Sequence, residues 1–185
     1  VDNINFKDIS STGNFADFGD LTAVGYKGGA VGNATRAVFA HGNNTNVMSY
    51  VTPQTTGNAS DFGDLLENKS EIGSLGNATR GFASPTRGVC AVGATYSGND
   101  SLRIDYCTIG TTGNFTDFGD GIVLRNSDPN GCSSETRGVW GGGKSGTGGD
   151  KLEYVTIAST GNATSFGDLH SGNIYSGPAS CSSNT

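Results

Sequence analysis

The sequence contains four copies of one pattern, and this repetition constrains the fold more than any other feature. The tripeptide Phe-Gly-Asp occupies residues 18–20, 62–64, 118–120 and 166–168. A Thr-Gly-Asn tripeptide precedes each copy at the same distance, at residues 12–14, 56–58, 112–114 and 160–162. Successive copies are 44, 56 and 48 residues apart, a period typical of stacked or radially arranged β units. Residues common to all copies are therefore expected to build the scaffold, and residues that break the pattern are the better functional candidates.

Two further elements recur and indicate short strands. A Thr-Arg element occurs at residues 35–42, 86–93 and 136–143, and a Tyr-centred element follows it at residues 48–52, 104–108 and 152–156. Runs of β-branched and aromatic residues bounded by Gly, Asn and Ser are typical of β-strands, and no window has a helical period. The composition agrees, because 31 glycines and only 15% charged residues suit tight turns between short strands.

These elements predict an all-β fold, a β-propeller-like array of about four four-stranded blades. Each unit would hold strand A (Thr-Arg), strand B (Tyr-centred), strand C (around Phe-Gly-Asp) and a less regular strand D. Residues 1–185 are predicted to form a single repeat domain with units of approximately 1–34, 35–85, 86–135 and 136–185. Because only three A elements accompany four B–C elements, we expect a window from a longer array, the alternative being a small ring with one strand missing or donated.

Charge and motif content argue against several classes of function. The formal net charge is −6, whereas nucleic-acid binding requires clustered Lys and Arg. No apolar run approaches the roughly 18 residues that span a bilayer. No nucleophile elbow or zinc spacing is present, and His41 and His170 occupy unrelated positions, so both are expected to be isolated surface residues. We therefore expect no nucleic-acid partner, no membrane span, no cofactor, no metal and no enzymatic activity.

The Asp of Phe-Gly-Asp is the only acidic residue present in all four copies, and the Arg of the Thr-Arg element is its natural partner. Bidentate Arg–carboxylate contacts between strands A and C would stabilise each unit. The predicted structural residues are Arg36, Arg87, Arg137, Asp20, Asp64, Asp120 and Asp168. Calcium binding is the alternative reading of the repeated carboxylates, but no copy has the spacing of a calcium loop.

Two of the four cysteines replace core residues of a single unit. Cys90 stands where the other units have the aromatic residues Phe39 and Trp140, and Trp140 is expected to belong to the core; Cys107 stands where they have Val. Because both positions fall on adjacent predicted strands, an intra-unit disulfide is predicted, with two small buried thiols as the alternative. Cys132 and Cys181 are equivalent positions in successive units and are expected to be too far apart to bond.

The variable segments between the repeated elements offer a candidate contact surface. Tyr26 and Tyr96 lie in such segments, with Lys27 and Asp100 nearby. Flat aromatic rings stack on sugar rings and lose little rotamer freedom on binding. These four residues are therefore the candidate binding surface, the alternative being ordinary loop residues.

The segment CSSETRGVWGGG, followed by LEYVTIASTGNATSFGDL, resembles the kelch-like repeats of large virion structural proteins, notably tail-fibre or appendage proteins of marine phages and cyanophages. The likeness covers nearly the whole chain. It departs from the pattern in the unit where Cys90 replaces the aromatic residue. The resemblance implies kelch-like blades in a non-enzymatic protein of a virion surface or another extracellular location. Its partners would be other copies, other virion or appendage proteins, and host surface glycans or a receptor.

The function expected from the sequence is therefore that of a structural protein of a virion or extracellular appendage, tail-fibre-like, with adhesion to the host surface. The alternative is a carbohydrate-binding, lectin-like propeller with one site per blade. That alternative requires the same aromatic and polar residues to recur in the loops. A propeller enzyme is the least favoured reading, because the only recurrent carboxylates are those of Phe-Gly-Asp.

Overall fold

The computed structural model describes residues 1–70, 72–74, 87–91, 94–95, 101–125, 130–134, 136–142 and 149–170. Within these residues every regular element is a β-strand, which confirms the all-β prediction. The strands are β1 (Asn3–Phe6), β2 (Ala16–Asp20), β3 (Gly29–Gly32), β4 (Ala37–Ala40), β5 (Thr45–Val51), β6 (Ser60–Ser70), β7 (Gly73–Ser74), β8 (Arg87–Ala91), β9 (Ala94–Thr95), β10 (Ser101–Thr108), β11 (Thr116–Arg125), β12 (Asn130–Ser133), β13 (Arg137–Gly141), β14 (Lys151–Thr156) and β15 (Thr164–Asp168).

The strands form four antiparallel sheets that follow one another along the chain. The first sheet is the pair β1-β2. The second is β3-β4-β5-β6 with the short β9 added beside β6, the third is β7-β8-β10-β11, and the fourth is β12-β13-β14-β15. The described part of the chain contains no closed ring of sheets. Among the described residues, no helix has the length and apolar character needed to cross a membrane.

The strand expected to end each unit instead begins the next sheet. β3 follows strand C of the first sheet in the chain, but it pairs with β4, with Val31 opposite Val38. β12 pairs in the same way with β13, with Cys132 opposite Val139. Each complete sheet therefore reads D-A-B-C and straddles the unit boundaries near residues 34, 85 and 135. The chain beyond each Phe-Gly-Asp crosses to the neighbouring sheet, where strand D pairs with strand A.

Each Phe-Gly-Asp tripeptide forms a β-bulge at its Phe. In the third sheet, adjacent residues of β10 pair with Gly119 and Asp117, so Phe118 between them has no partner in the ladder. The same register shift occurs in the other three sheets. The following glycine has φ between +135° and +148°, a region that is essentially restricted to glycine. A bulge leaves its extra residue unpaired, so the carbonyl of each Phe is available outside its own sheet.

The Thr-Gly-Asn tripeptides lie in the connections from strand B to strand C. Each connection begins with a tight backbone turn, as where the amide of Thr111 donates to the carbonyl of Thr108 at 3.3 Å. The glycines that follow have φ between +134° and +157° in the four copies. The fold therefore presents two recurring local structures, the Phe-Gly-Asp bulge and the Thr-Gly-Asn turn, in every sheet.

The hydrophobic core lies between successive sheets. One cluster joins the second sheet to Cys107 and Ile109 of the third. Another joins the third sheet to Trp140 and Val155 of the fourth, and the burial of Trp140 confirms the expectation that it belongs to the core. Because each sheet buries its apolar residues against a neighbour, the stability of one sheet depends on the next.

Candidate functional site

The Phe-Gly-Asp bulge of each sheet docks onto the Thr-Gly-Asn turn of the following sheet. Between the third and fourth sheets, the amide of Gly161 donates to the carbonyl of Phe118 at 2.7 Å. The amide of Ala163 donates to the carbonyl of Asp120 at 2.8 Å, and the amide of Asp120 donates to Oδ1 of Asn162 at 3.0 Å. Bulge and turn thus exchange donors and acceptors in both directions.

The two earlier junctions repeat this geometry. At the first, the donor–acceptor pairs are Gly57 and Phe18 (2.7 Å), Ala59 and Asp20 (2.7 Å), and Asp20 and Asn58 Oδ1 (3.1 Å). At the second, they are Gly113 and Phe62 (2.7 Å), Phe115 and Asp64 (2.8 Å), and Asp64 and Asn114 Oδ1 (3.1 Å). The recurring tripeptides are therefore the two halves of one connector that holds consecutive sheets together.

The connector requires glycine in the bulge for a steric reason as well as a conformational one. A Cβ at Gly119 would lie 2.5 Å from the carbonyl carbon of Gly161, closer than real Cβ atoms approach. A Cβ at Gly63 would meet the backbone of Gly113 in the same way. The close approach of two backbones thus explains why this position is Gly in the three docked copies, whereas the positive φ requires Gly in all four.

A polar side-chain pair crosses each junction beside the connector. One member is the residue just before the recurring aromatic residue of strand B, and the other comes from the chain that follows the preceding bulge. The pairs are Ser49 Oγ with Thr22 Oγ1 (2.6 Å), Asp105 Oδ2 with Lys69 Nζ (3.5 Å) and Glu153 Oε1 with Arg125 Nη2 (3.0 Å). The residue identities differ, but the position is the same in the three sheets.

The pair between Arg125 and Glu153 is the most completely buried of the three, since both side chains are excluded from solvent. Arg125 also donates to the carbonyl of Lys151 at 2.9 Å. Glu153 accepts from the amides of Ile122 at 3.0 Å and Val123 at 2.9 Å. A buried ion pair needs such additional bonds to offset its desolvation, so these two residues have a structural role.

Asp105 is less well compensated. Burial raises the pKa of its carboxyl, while the nearby charges of Lys69 and Arg103 act in the opposite direction. Lys69 is itself buried and lies 3.6 Å from Glu67. The four charged side chains form one network across the junction between the second and third sheets, which again points to a structural role.

The predicted Arg–Asp contacts are not formed by Arg36 or Arg137. The guanidinium of Arg36 lies 4.2 Å from the ring centroid of Tyr50, and that of Arg137 lies 4.6 Å from the ring centroid of Tyr154. Neither arginine has an ion pair with a Phe-Gly-Asp carboxylate within the described residues, and the side chain of Arg87 lies outside them. Each arginine is diagonal to its Tyr across the A–B strand pair, because Val38 lies opposite Tyr50, so the aromatic ring is the nearer partner.

The Phe-Gly-Asp carboxylates have other surroundings. Asp168 lies 2.8 Å from Lys151 Nζ on the neighbouring strand, and Asp20 accepts a bond from Nδ2 of Asn3 at 3.2 Å. Asp20, Asp64 and Asp120 share a backbone contact: the amide of each donates to the Asn side chain of the following turn in the connector. These Asp residues therefore belong to the scaffold, as the sequence suggested, but they act through backbone hydrogen bonds and not through ion pairs with Arg. Within the described ranges, no group of His, Cys, Asp or Glu could hold a metal ion.

Three equivalent clefts open beside the Thr-Gly-Asn turns of the second, third and fourth sheets. Each is lined by the recurring Tyr of strand B (Tyr50, Tyr106 or Tyr154), by hydroxyl residues of the turn and by its Gly-Asn. The volumes are about 230, 150 and 130 Å³ in chain order. These sizes are below the roughly 300–1,000 Å³ of drug-binding pockets, and hydroxyl and amide linings suit a small polar ligand.

The first sheet differs at the equivalent place. Phe6 replaces the Tyr, and Lys7 replaces the small apolar residue that follows it. The ammonium of Lys7 donates to Ser11 Oγ at 3.0 Å and to the carbonyl of Thr12 at 3.1 Å. Lys7 therefore occupies the region that is open in the other three sheets.

The structure describes two residues of the candidate contact surface, Tyr26 and Lys27. Tyr26 is exposed, and its carbonyl accepts the amide of Asn43 at 3.1 Å. Lys27 adopts a left-handed backbone with φ of 55° beside it. Tyr96 and Asp100 lie outside the described residues. The structure thus places Tyr26 at the surface of a turn, and the shared surface remains a prediction.

His41 is buried, so the expectation that both histidines lie at the surface was wrong for this residue; His170 is exposed. Nε2 of His41 lies 2.5 Å from Ser49 Oγ, which also contacts Thr22. Burial lowers the pKa of His41. The imidazole therefore belongs to the polar pair at the first junction, a position that sequence periodicity could not identify because the other units have Val92 and Gly142 at the equivalent place.

Cys107 is a free, buried thiol, so it is not bonded to Cys90. Cys107 lies opposite Gly88, whereas Cys90 lies opposite Asp105, and the side chain of Cys90 lies outside the described residues. Burial raises the pKa of Cys107 to about 12. It packs in the core between the second and third sheets, which agrees with the alternative reading of a small buried thiol.

Sequence comparisons do not identify a family. A scan against protein-family models finds no match, and no curated protein matches the chain. The function is therefore argued from the connector, the clefts and the repeat pattern.

Proposed function

We propose that this chain is a non-enzymatic structural module of a virion or extracellular appendage, built as a propeller-like array of sheets and adhering to a host surface. The resemblance to kelch-like repeats of tail-fibre proteins supports this location. Its partners would be other appendage proteins and host surface glycans or a receptor.

The observation that carries the proposal is the use made of the recurring residues. Phe-Gly-Asp and Thr-Gly-Asn form the connector, and the Arg of the Thr-Arg element covers the recurring Tyr. The recurring tripeptides thus serve to join one sheet to the next. Such a construction extends by adding units and leaves the outer loops free to vary, which suits a scaffold that carries contact surfaces.

The proposal is tested by measuring attachment to cells. Fluorescently labelled chain is incubated with a panel of marine bacteria and cyanobacteria, and bound label is measured against chain concentration. Saturable binding to particular strains, reduced when periodate oxidises the surface glycans, is the expected result. A heat-unfolded sample of the same chain serves as the control. Binding to no strain, or equal binding of the unfolded control, would contradict the adhesive role.

A second candidate function is carbohydrate binding through the three clefts, and their threefold recurrence is what favours it. Each offers a Tyr, several hydroxyls and an Asn within a small space. One observation weighs against stacking of a sugar on the ring, because Arg36 and Arg137 each cover a face of the Tyr. Recognition would therefore depend on hydrogen bonds from hydroxyl and amide groups.

The clefts are tested with a matched set of substitutions. Thr56→Val, Thr112→Val and Thr160→Val together remove one hydroxyl from each cleft, and Thr12→Val makes the same change where Lys7 occupies the equivalent region. We expect NMR titration with monosaccharides to show millimolar binding that the triple variant loses and Thr12→Val retains. Equal binding by both variants would exclude the clefts.

A further inference from the structure

The fourth Phe-Gly-Asp bulge has the structure of the other three but lacks a partner among the described residues. Phe166 is 52% exposed, whereas Phe18, Phe62 and Phe118 are 7%, 1% and 2% exposed. A Cβ at Gly167 would meet nothing within 4 Å, in contrast to Gly119. Within the residues that the structure describes, this bulge is therefore undocked.

The first Thr-Gly-Asn turn has no bulge docked onto it among the described residues. Phe15 follows this turn and is 71% exposed, whereas its equivalent Phe115 is 2% exposed. Ile9 is fully exposed, whereas its equivalents Ile109 and Ile157 are fully buried. The face of the first sheet that corresponds to the docked faces of the later sheets therefore exposes the same apolar residues to solvent.

Both undocked halves already have the docked conformation. Gly167 has the same φ as Gly119, +148°. Phe166 packs edge-to-face on Tyr154 at 6.1 Å, as Phe62 packs on Tyr50 at 6.1 Å. In the first turn, the amide of Ser11 donates to the carbonyl of Asp8 at 3.2 Å, as in the later turns. Docking would therefore require little reordering, which lowers its entropic cost.

Lys7 does not prevent docking at this face. It replaces the apolar residue found in the other sheets, but its ammonium is directed to Ser11 and Thr12 in the region of the clefts. A Cβ built on Gly13 would lie 3.4 Å from Nζ of Lys7. A Cβ built on Gly161, in a docked turn, would meet no atom within 4 Å. Docking therefore leaves room for the ammonium to keep its bonds to Ser11 and Thr12, while the Lys7 stem takes the position of the buried Cys107 and Val155.

We propose that the chain associates head to tail, with the Phe-Gly-Asp bulge of residues 166–168 docking onto the Thr-Gly-Asn turn of residues 12–14 in a second copy. The interface repeats the three internal junctions. Phe166 covers the apolar face of Ile9 and Phe15, and the amides after the turn bond to the carbonyls of the bulge. Because the two faces differ, the interface is heterologous and generates open chains of molecules or larger rings.

This inference deepens the proposed structural function by naming a partner, a second copy of the same chain. Its test requires only the purified protein and no host surface. Sedimentation velocity is measured from low to high micromolar concentration for the wild type, for Gly167→Ala and for two face-blocked variants, Phe166→Glu and the double variant Ile9→Glu/Phe15→Glu. All substituted residues other than Gly167 are exposed, and thermal melts verify that each variant folds.

We expect concentration-dependent association of the wild type and at least tenfold weaker association of Gly167→Ala. Each face-blocked variant should remain monomeric alone, and an equimolar mixture should form a dimer and nothing larger, because one intact bulge then meets one intact turn. If Phe166→Glu fails to fold, Gly167→Ala mixed with the double variant gives the same readout; if the double variant fails to fold, the single variant Ile9→Glu takes its place.

Three results would overturn the inference. They are a wild type that stays monomeric throughout, a face-blocked variant that associates with itself, and a mixture that gives no dimer. A monomeric wild type that still attaches to cells would reject head-to-tail association and leave the adhesive function standing. Association without cell attachment would do the reverse.

Discussion

Gly119 and Gly167 provide a matched pair that isolates the energetic contribution of the connector. Both occupy the same position of the bulge with the same φ of +148°. Replacement by Ala places both in a strained backbone region, at a cost of about 1–3 kcal/mol. Only at Gly119 does the added Cβ also collide with the docked turn, 2.5 Å from the carbonyl carbon of Gly161.

The additional cost at Gly119 follows from the bonds that the collision disrupts. Relief of the overlap must separate the bulge of the third sheet from the turn of the fourth. Three hydrogen bonds of 2.7, 2.8 and 3.0 Å cross that junction. At about 0.5–1.5 kcal/mol for each bond, Gly119→Ala should destabilise the protein by about 1.5–4.5 kcal/mol more than Gly167→Ala does.

Urea unfolding followed by Trp fluorescence measures this difference, since Trp140 lies in the core between the two sheets. The measurement is made at concentrations where the chain is monomeric, so that Gly167 is not engaged with a second copy. Equal destabilisation by the two substitutions would refute the reasoning, because backbone strain alone would then explain the recurrence of glycine. A similar result for Gly63→Ala and Gly119→Ala would support equivalent connectors.

Three further predictions follow from the side-chain contacts. Arg125→Met leaves Glu153 charged and buried without its ion-pair partner, so the free energy of unfolding should fall by about 3–5 kcal/mol in urea unfolding, and a loss below about 1 kcal/mol would contradict the pairing. Arg137→Ala removes a cation–π contact and not a buried ion pair, so thermal unfolding should show a loss of only about 0.5–1 kcal/mol; a loss above 2 kcal/mol would require another contact. Because burial lowers the pKa of His41, the unfolded chain takes up a proton near pH 6.5 that the folded chain refuses. Stability should therefore fall as pH decreases through 6.5, by up to about 1.4 kcal/mol per pH unit, and His41→Gln should abolish that part of the pH dependence.

Local sequence was sufficient to predict the elements that short-range chemistry controls. The β-branched and aromatic runs form strands, and the glycines of the Thr-Gly-Asn turns adopt positive φ, whereas the bulge within strand C at each Phe-Gly-Asp was not predicted. The repetition also identified the scaffold residues, and Trp140 lies in the core as expected. These features depend on side-chain shape and backbone freedom over a few residues, which the sequence states directly.

The partners of these elements were decided by the tertiary structure. The fragments Phe118-Gly119-Asp120 and Phe166-Gly167-Asp168 are identical in sequence and in bulge geometry, yet Phe118 is buried and Phe166 is exposed, because among the described residues a further sheet docks only onto the first fragment. The predicted Arg–Asp pairing is absent at Arg36 and Arg137 because each guanidinium lies over a Tyr ring instead. Spacing along the chain does not reveal that the bulge turns the Asp backbone towards the next sheet while Arg36 lies diagonal to Tyr50. Local sequence determines a conformation, whereas contact between distant residues depends on how the sheets pack, and here that packing gives one repeated tripeptide both its docked and its undocked form.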